Sequence, residues 1–157
     1  EGYRASSARR PLVVVGSAPY AAEYTERIRA AAGGDPRIRF LGGVFDQDLL
    51  DALYFHALTY VHGHSVGGTN PSLLRAMGAG TAVLAYDVGF NRETLDEHGL
   101  FFADAADATQ HFATLERDRA GAVALGRQVF ERAAAAFRWD DVASQYEDLA
   151  MRLAQQE

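Results

Sequence analysis

YVHGHSVGGTNPSLLRAMGAGTAVLAYD, residues 60–87, sets out a strand, a glycine loop, a helix and a second strand in that order. Tyr60-Val61-His62 closes a short apolar run, Gly63 to Asn70 is a flexible polar loop, Pro71 to Met77 has the composition of a buried helix, and Thr81 to Ala85 is a strand. Asn70 followed by Pro71 is a strong helix start: asparagine accepts from first-turn amides, while proline has the right φ and no N–H to leave unpaired. Gly67 and Gly68 permit positive φ and close backbone approach, and the amides of Thr69 to Leu73 are expected to point out of a positive helix end. A phosphate suits that chemistry. The dipole contributes roughly 0.3–1 kcal/mol at an exposed terminus and each hydrogen bond to a charged oxygen about 1.5–3 kcal/mol, so several amides outweigh the dipole. The same spacing also suits a plain loop-to-helix connection in which the glycines serve only the turn.

Outward from this stretch the chain alternates strand and helix. Leu12 to Val15 is a β-branched run stopped by Gly16-Ser17-Ala18-Pro19, the pattern of a strand buried on both faces. Tyr20 to Ala32 has helical spacing with Tyr24, Ile28 and Ala31 or Ala32 as its inner stripe, and Gly33-Gly34-Asp35-Pro36 ends it. Arg37 to Leu41 alternates as a strand, Gly42-Gly43 follows, and Asp46 starts the helix QDLLDALYFHA. Leu58 to His62 is the next strand. Beyond Asp87 a loop runs to Phe90, Asn91 is the expected N-cap of NRETLDEHG, and Leu100 to Phe102 is a last short strand. Helices then follow near 108–117, 120–136 and 140–155, with Phe137-Arg138-Trp139-Asp140 as the break before the last. Glu1 to Arg10 has the character of the tail of a helix.

Strict βα alternation with short connections predicts a doubly wound parallel, Rossmann-like sheet in a single domain, 1–157. Ligands of such sheets sit at the carboxyl ends of the strands, where Gly16, Gly42-Gly43, Gly63 to Asn70 and Asp87 to Asn91 gather. Glycine-bearing loops ending successive strands are better explained by a ligand cleft than by turn chemistry alone.

Composition narrows the chemistry. With 157 residues, 48% of them apolar, the chain can bury a real core. No cysteine occurs, which excludes disulfides, thiolate nucleophiles and cysteine zinc sites. All fifteen basic residues are arginine. Without lysine a Walker A loop and Schiff-base catalysis are both excluded, and with them a P-loop NTPase or a pyridoxal phosphate enzyme. The net charge of −6 argues against a nucleic-acid partner. Neither a membrane span nor a signal peptide is visible, and the cytoplasm is the expected compartment.

These residues resemble the C-terminal, donor-binding domain of the retaining group 1 (family 4) glycosyltransferases of GT-B fold. The likeness covers nearly the whole chain: Leu12 to Gly16 is similar to a family strand ending in glycine, Phe40-Leu41-Gly42 to its Phe-x-Gly strand end, Arg75-Ala76-Met77-Gly78-Ala79-Gly80 to its Glu-Ala-Met-Ala-x-Gly helix, and Phe137-Arg138-Trp139 to its closing Phe-x-Trp. HGHSVGGTNPSLL with FNRE further resembles a bacterial subgroup that includes polysaccharide rhamnosyltransferases. The resemblance implies a nucleoside-diphosphate sugar as substrate, with no cofactor and no metal. It places Gly67, Gly68, Thr69, Asn70, Arg75 and His64 around the donor diphosphate and sugar, and Gly16, Gly43 and Val44 near the base and ribose. It gives no catalytic residue. It further implies partners outside these residues: an N-terminal acceptor domain, through which any peripheral membrane association would run, and a face for the final helix, 139–157.

Two departures qualify the likeness. The family's two donor-site glutamates are replaced by Gly67 and Arg75, and Ser65 stands where a subgroup glutamate can sit. Arg75 cannot accept a hydroxyl hydrogen bond. It is left with a phosphate, or the donor is a deoxyribonucleotide, or the domain is impaired. The family's Gly-Arg strand, which normally lies at the sheet centre, has no counterpart ahead of Leu12, so a sheet lacking its first strand is expected. A noncatalytic domain of this fold and a sugar-nucleotide epimerase remain as alternatives.

Other polar residues read more plainly. His62 and His64 have no third ligand at hand for zinc, and a cleft histidine touching phosphate or sugar suits them better. His56, His98 and His111 are expected at the surface or its boundary. Asp87 ends a strand and Glu93 sits in a first helical turn, where negative charge is favoured in any case. Trp139 is expected to be a packing anchor.

Overall fold

The computed structural model describes residues 1–155. Five strands form where the apolar runs lie: β1 (Leu12–Val15), β2 (Ile38–Gly42), β3 (Thr59–His62), β4 (Ala82–Tyr86) and β5 (Leu100–Phe102). Between and after them come α1 (Gly2–Ala5), α2 (Ala22–Ala32), α3 (Gln47–His56), α4 (Pro71–Gly78), α5 (Gly89–Leu95), α6 (Ala105–Arg117), α7 (Arg119–Ala136) and α8 (Trp139–Ala154). The α/β alternation is as expected, and every strand pairing is parallel.

The strands do not form one continuous ladder. β1 pairs with β2, while β3, β4 and β5 form a separate sheet in that order. The packing differs between the two. β4 is wholly buried over Ala82–Ala85, and Leu73, Ala76 and Met77 of α4 and Val129 of α7 meet it in the main core. Gly126 brings α7 against the Gly80 turn that leads into β4, and Ala122 and Leu115 extend the apolar layer. The first half is looser, contrary to the expected double burial of Leu12 to Val15: these residues are half-buried and Val15 is 39% exposed.

The inner stripe expected on α2 is likewise uncovered. Tyr24 is 59% exposed and no residue of α2 is buried, because that helix meets chiefly the short turn before it, Pro19–Ala21. Periodicity marks a face suited to burial without supplying the surface that covers it. α8 shows the same. Val142, Tyr146, Leu149 and Leu153 recur at helical spacing, yet none is buried, and Trp139 at its start is 86% exposed rather than an anchor. Residues 156 and 157, included in the expected final helix, lie outside the described residues.

Most of the remaining boundaries move by a residue or two; α6 begins three residues before the expected 108, the expected helix tail over Glu1 to Arg10 is helical only at Gly2–Ala5, and one further shift is informative. α5 begins at Gly89 behind Val88, so Asn91 is not its N-cap but a buried residue of its first turn. Capping where it was foreseen does occur: Asp46 accepts from the Leu49 amide and Asn70 from the Ser72 amide. His56 is exposed and His98 and His111 are half-buried, as expected. Among the described residues no helix is long and apolar enough to cross a membrane.

Candidate functional site

The loop between β3 and α4 is fixed at both ends and free between them. At its far end Asn70 caps α4. Its Oδ1 accepts from the Ser72 amide at 2.9 Å and from the Ser72 hydroxyl at 2.7 Å, while its carbonyl accepts from the Leu73 and Leu74 amides. Pro71 has no N–H. The first-turn amides of α4 are therefore already used, which corrects the expectation that the amides through Leu73 point outward. A good cap and an open helix end compete for the same donors. The free donors lie one step earlier: among the described residues no backbone N–H from Ser65 to Asn70 is paired within the protein.

At the near end the loop leaves a buried polar chain. Ser72 Oγ donates to Asn70, so it accepts from Tyr60 Oη at 2.8 Å, and the Tyr60 oxygen in turn faces His62 Nδ1 at 3.3 Å. This order gives His62 its proton on Nδ1 and leaves Nε2 as a buried acceptor without a partner. Burial pushes the Tyr60 phenol up to about 12, so it remains a donor. Burial and the neighbouring His64 lower His62 to about 4, so its ring is neutral at pH 7. His62 is wholly buried, a core residue rather than one open to a cleft, and the exposed His64 ring stacks on it with 4.5 Å between centroids.

The other candidates fall into distinct neighbourhoods. His64, Gly67, Gly68 and Thr69 are exposed and Asn70 half-buried, all on this loop, and Gly67 has φ +128°, a backbone that a side chain would strain. Arg75 lies on α4 but turns toward α3, where it donates to Asp51 at 2.7 Å and to Gln47 at 2.9 Å and holds the Asp51 carboxyl below the usual range. Gly16 and Gly43 end β1 and β2. The Gly16 amide donates to the Gly42 carbonyl at 2.8 Å, and Ser17 and the Phe45 ring crowd the open side of Gly43, with Val44 half-buried beside it. Asp87 is paired with Arg92 rather than with Glu93. Among the described residues no group of three or more histidine, aspartate or glutamate side chains is placed to hold a metal ion.

Loop amides at the carboxyl end of a parallel sheet can take an anion, and sequence comparison gives the family. The family model described as glycosyl transferases, group 1, matches residues 4–118. The chain belongs to the group 1 glycosyl transferases. Its fold is that of the C-terminal half of GT-B glycosyltransferases. It is similar to the sucrose-phosphate synthase of Thermosynechococcus elongatus, with 29% identity and a TM-score of 0.79 over 93% of this chain and 39% of that one. HepE of Anabaena, solved in complex with UDP, superposes at a TM-score of 0.75 with 17% identity over 93% of this chain and 41% of that one. The HepE complex with UDP-glucose gives 0.74 at 18% identity, over 92% and 41%. Among curated proteins there is no match. This glycosyl transferase chain thus spans about two fifths of the length of the solved proteins it resembles.

One residue of the site was missed by sequence reasoning. Asn91 donates both hydrogens of its side-chain amide, to the His64 carbonyl at 3.1 Å and to the Tyr86 carbonyl at 2.9 Å. An asparagine after a turn resembles a helix cap, and only the observed helix start at Gly89 shows that its side chain faces inward.

Proposed function

We propose that this group 1 glycosyl transferase chain binds the nucleoside-diphosphate sugar donor for retaining glycosyl transfer in bacterial polysaccharide or glycoconjugate synthesis, in the cytoplasm. The observation that carries the reading is the unpaired run of amides from Gly67 to Asn70, held on a loop rooted at both ends. Fixed donors aimed at a leaving diphosphate stabilise charge as it develops and need no reorganisation during the step, so the binding needs neither metal nor cofactor. Gly43 and Val44, beside the joined ends of β1 and β2, suit the base and ribose. HepE, of similar fold, was solved with UDP and with UDP-glucose, which makes a uridine nucleotide the first donor to try. The resemblance of HGHSVGG and FNRE to the rhamnosyltransferase subgroup adds dTDP. The acceptor side is supplied by an N-terminal domain of the same protein. The uncovered face of α8 fits packing on that domain.

Arg75 supports a second reading. It occupies a position where the family carries a ribose-binding glutamate, and its guanidinium is engaged by Asp51 and Gln47. A domain that kept the fold and lost the chemistry would look this way. An epimerase is less well supported, because Asp87, the carboxylate that follows β4, is paired with Arg92.

Calorimetric titration of the protein with UDP, dTDP and GDP separates these readings. A donor domain binds one of them measurably, and Gly68→Pro, which removes one loop amide and stiffens the turn, weakens that binding by about tenfold or more. Heat from none of the three nucleotides favours the noncatalytic domain.

A further inference from the structure

Asn91 is fully buried, although asparagine seldom is, and both its donors are spent on carbonyls of two other segments. One of these, Tyr86, ends β4, and it also accepts from the Val88 amide at 3.0 Å. The other, His64, is the second residue of the exposed glycine loop. The side chain thus bridges the end of a buried strand and the root of a loop that has no paired amides of its own beyond Ser65. His62, one position before the loop, is stacked under the His64 ring. At the other end, Asn70 is tied through Ser72 to Tyr60 of β3.

We infer that Asn91 is a positioning residue for the glycine loop: it pins His64 to the end of β4, so that the amides from Gly67 to Asn70 keep one arrangement before any ligand arrives. The inference rests on the diphosphate reading for what the loop binds, but not for how the loop is held. Gly63, Gly67 and Gly68 would otherwise let the loop sample many backbone states, and binding would carry the ordering cost. With the root fixed, that cost falls mainly on folding. Asn91 Oδ1 is sealed from solvent with no partner among the described residues, so the side chain makes its hydrogen bonds through its donors alone.

Asn91→Leu keeps a side chain of comparable size and removes both donors. In the protein carrying this chain, three readings are compared with wild type: backbone ¹⁵N order parameters for His64 to Asn70, the affinity for UDP, dTDP or GDP, and the affinity for the matching nucleoside. The expected result is a fall of the loop order parameters from rigid values to below about 0.6, with diphosphate affinity about tenfold weaker and nucleoside affinity unchanged. A general structural defect would weaken both ligands alike and loosen the sheet as well. A loop that stays ordered in Asn91→Leu overturns the inference. If the wild type binds no nucleoside diphosphate while the variant loop still loosens, the positioning role stands and the donor reading fails. Should Asn91→Leu not fold, solvent exchange of the Asn91 Nδ2 protons in wild type decides: protection of both supports the clamp, and exchange at the rate of a free amide overturns it.

Discussion

Gly126→Ala is expected to lower the unfolding free energy by about 3 kcal/mol, the upper end for an overpacked core. A Cβ built at Gly126 lies 2.1 Å from the Gly80 carbonyl oxygen and 3.2 Å from the Ala82 amide nitrogen, so the added methyl meets backbone rather than a side chain that could turn aside. The opposing turn cannot easily retreat. Gly80 has φ +70°, its amide donates to the Met77 carbonyl, and the Thr81 amide donates to Ala76. Separating α7 from that turn also withdraws Val129 from Leu73 and Met77. Gly78→Ala is the matched control, since its Cβ meets nothing within 4 Å and alanine is the better helix former. Thermal melts should show a drop of about 6–12 °C for Gly126→Ala, at about 2–4 °C per kcal/mol for a chain of this size, against no drop for Gly78→Ala. Equal melting points would mean that α7 does not approach β4 as described.

Acid is expected to remove about 3 kcal/mol through one buried ring. His62 is lowered from 6.5 to about 4 by burial and by the adjacent His64. The unfolded chain therefore takes up the proton first as pH falls, so the stabilising contribution is complete above about 6.5 and is lost progressively down to about 4. The paired carboxylates act lower. Asp35, bound by Arg37, is held at about 2, and its contribution fades only below the ordinary carboxylate range. Melting temperature measured from pH 7.5 to 4.5 should fall steeply in the wild type and be nearly flat in His62→Gln, whatever that variant's stability at neutral pH. The same slope in both would place the titration elsewhere.

The loop and the core differ in how openly the sequence announces them. Asn70-Pro71 after a pair of glycines specified a helix start on local chemistry alone, and the cap formed there as expected. β4 and α4 were legible because their apolar runs cover each other. Tyr24 on α2 and Tyr146 on α8 carry equally regular spacing, but nothing among the described residues covers them, and periodicity is silent about the partner. The amide inventory at the loop could not be read either. The sequence supplies both a capping side chain and an anion-binding turn, and only the folded geometry shows that Asn70 takes the Ser72 amide and leaves the preceding ones free. Asn91 reads as a helix cap and His62 as a cleft residue, because a polar residue beside a turn signals neither its burial nor its partners; here each is buried with its hydrogen bonds directed along the loop's own supports. Arg75 stands out in the sequence as a departure from the family pattern, yet its engagement by Asp51 depends on how α3 lies beside α4.

The most direct test is a crystal structure of the protein soaked with the nucleoside diphosphate that binds best in the titration. The diphosphate oxygens are expected within hydrogen-bond distance of the Gly68, Thr69 and Asn70 amides, with the base near Gly43 and Val44. A diphosphate bound elsewhere, with these amides left in solvent, would contradict that expectation.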